Sequence, residues 1–212
     1  MNKFDKIFII HRKIDVERDV DTLIKKVIKY TSNPIEIIEP VELGDSESLI
    51  CFWSKKLASK KSVISLYNTN IKLYERIVKE KLDNVLILED DAELNNDIEI
   101  KLDYEAMIHF LDIRTWKNRN VSCLANFYPS WKETKRLLEI LNEYRRIKKN
   151  KHRPIDLELD YAKSKYFLNF NYSSYFHHPK VNNISTLGNS QKLNDDGSNA
   201  TNITKSKIKI QD

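Results

Sequence analysis

The sequence predicts an α/β fold in which a mainly parallel central sheet is flanked by helices. Three observations carry that expectation. Residues 6–10 (Lys-Ile-Phe-Ile-Ile) are a short apolar run with β-branched members, the pattern of a buried strand. Val20, Leu23, Ile24, Val27 and Ile28 follow at the spacing of one helix face. Ile35-Glu36-Ile37-Ile38 then reads as a second strand. A strand, a helix and a strand joined by short connections form the opening of a parallel sheet.

The other elements follow in order. Asn33-Pro34 turns the chain before the second strand, and Pro40 closes that strand. Residues 43–62 are polar, contain Gly44, and read as a loop with no more than a helical turn. Leu66, Leu73, Tyr74, Ile77, Val78 and Leu82 make the next helical face, with Glu75 and Lys79 spaced for an i, i+4 ion pair. Asp83-Asn84 turns the chain again. Val85-Leu86-Ile87-Leu88 is apolar throughout, as expected at the centre of a sheet covered on both faces. It stops at Glu89-Asp90-Asp91. Residues 92–120 show no clear period, and 121–127 read as another strand. Ser130-Trp131-Lys132-Glu133 has capping-box spacing before a helix that carries Leu137, Leu138, Leu141 and Tyr144. Residues 166–176 alternate aromatics with Asn and Ser and read as a late strand. From residue 189 apolar content falls, so a domain is placed at 1–188 and a disordered polar tail at 189–212.

Composition narrows the class. The 212 residues suffice for one domain, and 41% hydrophobic content supports a real core. No apolar run reaches the ~20 residues of a membrane span. The apolar run that leads into His11 is only four residues long, too short for a secretory signal. Two cysteines make no disulfide framework, so a reducing, cytoplasmic compartment is expected. The net charge of +5 is local to Arg145, Arg146, Lys148, Lys149, Lys151 and Arg153. Cations at a helix C-terminus complement its dipole, and no aromatic residues interleave the run to stack on bases. A solvated helix end is therefore preferred to a nucleic-acid interface.

The chemistry centres on Leu88-Glu89-Asp90-Asp91. Adjacent carboxylates repel one another, and burying them unpaired is very costly. At the C-terminal end of a central strand they occupy the place where open α/β sheets bind ligands. A divalent cation relieves the repulsion, since Mg²⁺ and Mn²⁺ take oxygen ligands and bridge carboxylates to diphosphates. On an extended chain Glu89 and Asp91 point to one side and Asp90 to the other. Glu89 and Asp91 are thus the candidate metal pair. Asp90 joins His11, Arg12 and Arg18 as a candidate for contacts to a nucleotide ligand, because the latter three lie where the first strand meets the first helix. Trp53, Trp116 and Trp131 are candidate sugar-stacking groups, although a tryptophan is more often core.

Leu73-Tyr74-Glu75-Arg76-Ile77-Val78, a short gap, and Asn84-Val85-Leu86-Ile87-Leu88-Glu89-Asp90-Asp91 resemble glycosyltransferase family 25. That family includes the lipopolysaccharide-biosynthesis and procollagen galactosyltransferases. Ile7-Phe8-Ile9-Ile10 with Glu17-Arg18, and Pro154-Ile155-Asp156, resemble two further family segments more loosely. Where the family usually has Asn-Leu after the first strand, this chain has His11-Arg12. Where it has Ser-His before the second helix, this chain has Thr69-Asn70. The resemblance implies a GT-A-type nucleotide-diphospho-sugar transferase fold, a UDP-sugar donor and Mn²⁺ or Mg²⁺. It also implies an inverting transfer, which needs a base for the acceptor hydroxyl. Asp156 is the candidate base, with Glu158 and Asp160 as alternatives; its structural alternative is a helix N-cap. His178, beside His177 after the late strand, is a candidate metal ligand.

The function expected is metal-dependent transfer of a hexose from a UDP-sugar to a hydroxyl of a glycan, lipid or protein, with no nucleic-acid partner. The alternative is a degenerate member that binds a sugar nucleotide or a partner without turnover.

Overall fold

A computed structural model describes residues 3–13, 19–42, 60–95, 99–112, 114–116, 119–121, 124–147, 154–177, 183–184, 190–193 and 199–200. Arg18, Trp53, His178 and both cysteines lie outside these residues. The chain opens with β1 (Lys6–Ile10), α1 (Val20–Val27), β2 (Glu36–Ile38), α2 (Lys60–Glu80) and β3 (Val85–Glu89). Next come β4 (Glu93–Leu94), β5 (Ile108–Phe110), β6 (Arg114–Trp116), β7 (Arg119–Val121) and β8 (Ala125–Tyr128). Then follow α3 (Trp131–Ile147), α4 (Ile155–Tyr166), β9 (Phe170–Tyr172) and β10 (Phe176–His177). Short pairings of β11 (Asn183–Ile184), β12 (Ser190–Leu193) and β13 (Asn199–Ala200) close the described chain. Most of the expected tail at 189–212 lies outside the described residues.

The central sheet has the order β2-β1-β3-β8-β5-β9. β1 pairs parallel with β2 and β3, and β5 pairs parallel with β9. β8 runs antiparallel to both β3 and β5, so it alone opposes the other five strands. The expected α/β architecture, a mainly parallel sheet flanked by helices, is the one observed. Each face carries its own core. Phe8, Ile10, Ile87 and Tyr128 pack with residues of α2, α3 and α4, including Tyr67, Tyr74, Leu137 and Leu159. Ile7, Ile9, Leu86, Leu88 and Phe127 pack on the other face with Val20, Leu23 and Val27 of α1. All four of Val85–Leu88 are buried, as the unbroken apolar run requires. Burial of such side chains contributes about 1.5–3 kcal/mol each.

Local signals explain the element ends. Asp19 caps α1 by accepting the Thr22 N–H at 3.0 Å. Ser130 Oγ accepts the Lys132 N–H at 3.2 Å and starts α3. The Val41 backbone is held by α2 at both polar groups: Thr69 Oγ1 accepts its N–H and Ser65 Oγ donates to its carbonyl. The ion pairs of α2 centre on Arg76 rather than on Glu75 and Lys79. Arg76 forks onto Glu36 at 2.5 and 2.9 Å and also bonds Glu80 at 2.8 Å. That fork holds the Glu36 carboxyl below its ordinary range.

Three expectations are corrected. Residues 121–127 are not one strand, because β7 pairs with β6 while β8 belongs to the central sheet. Residues 166–176 hold the end of α4, a left-handed Phe167 (φ 52°) and two separate strands. The third is the loop at 43–62, whose last residues already belong to α2; α4, for which no element was expected, carries an apolar face of Ile155, Leu159 and Ala162 interrupted by a buried Glu158. No helix among the described residues is long and apolar enough to cross a membrane.

Candidate active site

The strand order creates the site. From β1 the chain passes through α1 to β2 on one side, then through α2 to β3 on the other side. Because α1 and α2 cover opposite faces, the adjacent carboxyl ends of β1 and β3 are a topological switch point, the place where open α/β sheets form a crevice. Open α/β sheets bind ligands at such a switch point. The acidic triplet and His11 both lie on this edge: Ile10 is in register with Glu89, and Asp90 N–H donates to the Ile10 carbonyl at 3.1 Å.

The structure links two of the candidate residues directly. His11 Nδ1 lies 2.9 Å from Asp90 Oδ2, and the side chains are 15% and 4% exposed. The backbone on each side is also fixed, since His11 N–H donates to the Ile38 carbonyl at 3.0 Å. Opposite an ionised carboxylate, which only accepts hydrogen bonds, Nδ1 is the donor. Arg12 follows, exposed, at the same strand end. Asp90 therefore ties the end of β3 to the end of β1.

Glu89 ends β3, half-buried, and its N–H donates to the Leu124 carbonyl at 2.8 Å. The chain does not stay extended beyond it. Ala92 N–H donates to the Glu89 carbonyl at 3.1 Å, closing a turn over Asp90 and Asp91. The alternation that aligned Glu89 with Asp91 thus stops at Glu89, and turn geometry instead sets where Asp91 lies. Among the described residues no three His, Cys, Asp or Glu side chains group as a metal cage. A cation that shares a diphosphate needs only one or two protein carboxylates; Glu89 and Asp91 are the partly buried oxygen donors at this strand end.

The late segment crosses the same edge. Ser173 and Tyr175 donate backbone N–H groups to the carbonyls of Phe110 and Leu111. β10 then pairs with β4, which begins two residues after Asp91. This places His177 opposite Glu93, with Nε2 3.4 Å from a carboxylate oxygen. The neighbouring His178 lies outside the described residues.

Asp156 is not the N-cap of α4. Pro154 holds that position, and Asp156 sits within the first turn, where a carboxylate meets the positive end of the helix dipole. The topology brings it to the active edge. β8 ends at the opposite edge, so α3 runs back toward the carboxyl edge, and α4 returns to start β9. Of the alternatives, Glu158 is fully buried and accepts from Tyr67 Oη at 2.8 Å, tying α4 to α2. Asp160 is half-buried one turn further on. Trp131 packs against the helix-side core, so it takes the core role rather than a stacking one.

The sequence reading passed over three buried polar groups near this edge. Asp112 Oδ1 accepts the Ala125 N–H at 3.0 Å and pins β8 to the end of β5. His109 is 1% exposed. Asn126, fully buried beside Ile87 and Phe110, finds no hydrogen-bond partner for its amide among the described residues. The available signal was a polar residue inside an otherwise apolar strand.

No family model matches the sequence, and no curated protein matches it. Among solved structures the fold is similar to a glycosyltransferase involved in the glycosylation of the major capsid of PBCV-1. The identity is 13% and the TM-score 0.49, over 84% of this chain and 83% of that one.

Proposed function

We propose that this chain is a GT-A-type glycosyltransferase that moves a hexose from a UDP-sugar to an acceptor hydroxyl with inversion. The observation that carries the reading is the acidic Glu89-Asp90-Asp91 turn at the carboxyl end of the central strand, beside the crevice between β1 and β3. Glu89 and Asp91 are the residues that would hold Mn²⁺ or Mg²⁺. When bound, the cation neutralises charge on the departing diphosphate. His11, Arg12 and Arg18 receive the nucleotide. Asp156, at the start of α4, takes the proton from the acceptor hydroxyl as its oxygen attacks the anomeric carbon. The bond from that carbon to the diphosphate breaks, and the nucleoside diphosphate leaves. The family 25 resemblance supports this assignment through Leu88-Glu89-Asp90-Asp91 and Pro154-Ile155-Asp156.

A thermal-shift panel of UDP-sugars with and without Mn²⁺ tests the reading, because a ligand that binds the native state raises its stability. At least one UDP-sugar raises the melting point in Mn²⁺, and hydrolysis of that sugar nucleotide follows. Stabilisation without any hydrolysis or transfer identifies a binding protein that has lost turnover. No stabilisation by any UDP-sugar contradicts the proposal.

A further inference from the structure

The middle carboxylate of the triplet is committed within the protein. Asp90 is 4% exposed at its side chain and bonds His11 Nδ1 at 2.9 Å across the β1–β3 crevice. Backbone hydrogen bonds on both strands hold the two residues in place. A carboxylate beside Nδ1 sets which ring nitrogen carries the proton, as carboxylates behind catalytic and metal-bound histidines do. With the proton on Nδ1, the neutral form of the ring keeps a lone pair on Nε2. That atom makes no hydrogen bond to any described residue.

We infer that Asp90 is a positioning residue that acts through His11, holding the Nε2 lone pair at the crevice to accept a hydrogen bond from an O–H or N–H group of a bound nucleoside. The nucleoside part rests on the proposed function; the placement of the ring against Asp90 rests on geometry alone. An unprotonated Nε2 accepts and cannot donate, so it does not pair with phosphate oxygens. A nucleoside offers two kinds of donor, the ribose hydroxyls and the imide N–H of the base. His11 therefore discriminates between ligands, and Asp90 enforces the discrimination without touching the ligand.

The test combines ring-nitrogen NMR with calorimetric binding in Mn²⁺. The ligands are UDP, 2′-deoxy-UDP, 3′-deoxy-UDP, N3-methyl-UDP and pyrophosphate; the proteins are wild type, His11→Asn, Asp90→Asn and the double variant. His11→Asn keeps an N–H for Asp90 but removes the Nε2 position. Asp90→Asn offers an amide N–H to Nδ1 and so lets the proton move to Nε2. Wild-type NMR shows Nδ1 protonated and Nε2 bare, and Asp90→Asn shifts that balance. Wild type loses roughly 3–10-fold in affinity for one analogue, the scale of one neutral hydrogen bond. His11→Asn loses about that factor for UDP and no longer distinguishes the analogue. Asp90→Asn does the same, and the double variant is no weaker than either single one. The inference fails if Nε2 carries the proton in wild type, if His11→Asn keeps the discrimination, or if the losses of the single variants add. It also fails if pyrophosphate binding falls by the same factor. If wild type binds no UDP while the tautomer is as stated, the proposed function and the nucleoside part fall together and the positioning of His11 by Asp90 stands.

Discussion

Two histidines near the carboxyl edge of one sheet are used in opposite ways. His109, within β5, has both ring nitrogens engaged. Nδ1 accepts the Asp103 N–H at 3.1 Å, which leaves Nε2 protonated and donating to Ser173 Oγ at 2.7 Å. Asp103 in turn accepts from Asn171 Nδ2 at 2.8 Å, so the network ties the approach to β5 to β9. His11, at the end of β1, has one nitrogen engaged among the described residues and lies at the switch point. The first arrangement is complete within the protein and serves the scaffold. The second leaves an atom for a ligand. Burial alone does not separate the two, since both rings are largely enclosed; the separation lies in counting hydrogen-bonding capacity on each ring.

That contrast can be broken at the acidic turn, where the largest effect is expected. Asp91→Ala or Glu89→Ala lowers turnover of the UDP-sugar by roughly 10²–10³-fold, the scale seen when one group stabilising developing charge is removed. Melting temperature without ligand stays near that of wild type. Steady-state kinetics beside a thermal scan shows whether the two effects separate in this way.

His109→Ala should reverse the pattern. Two buried hydrogen bonds are lost and a cavity forms, so stability falls by about 2–4 kcal/mol in urea unfolding. Donor affinity of the molecules that remain folded is unchanged. A weakened donor affinity with intact stability would place His109 in the site instead of the scaffold.

The same histidine makes a pH prediction. Burial lowers its pKa below the ordinary value of 6.5, with the nearby Asp103 carboxylate opposing that shift. The unfolded chain then binds the proton more readily than the folded one, so unfolding gains protons as pH falls. Stability is therefore full above about pH 6.5 and declines below it. Denaturant midpoints measured from pH 7.5 to 5 should fall in wild type and fall less in His109→Gln.

The smallest effect is expected far from both histidines. Phe167 is 91% exposed in a left-handed conformation at the end of α4, where glycine is the usual residue. Phe167→Gly should raise stability by about 0.5–1 kcal/mol and leave ligand binding untouched.

The parts of the fold that were legible in the sequence are those written in contiguous residues. β1 and β3 are unbroken apolar runs, and the acidic turn follows β3 directly. α4 was missed because Glu158 sits on its buried face and breaks the apolar stripe, and its hydrogen-bond partner, the Tyr67 hydroxyl on α2, is 91 positions away. β5 was missed because it is three residues long with a histidine at its centre. The pairing of His11 with Asp90 was out of reach, since the partners are 79 positions apart and meet only through strand order. The turn at Glu89 also lay beyond periodicity, because alternation predicts orientation only while the strand continues.

The central claim is that the acidic turn beside the β1–β3 crevice binds a nucleotide sugar through a divalent cation. Anomalous diffraction at the manganese edge, from crystals grown with UDP and Mn²⁺, measures this directly. A manganese peak is expected about 2.0–2.2 Å from a carboxylate oxygen of Glu89 or Asp91, the spacing of small divalent cations, with the nucleoside against His11. A nucleotide bound elsewhere, or manganese that touches neither carboxylate, would contradict it.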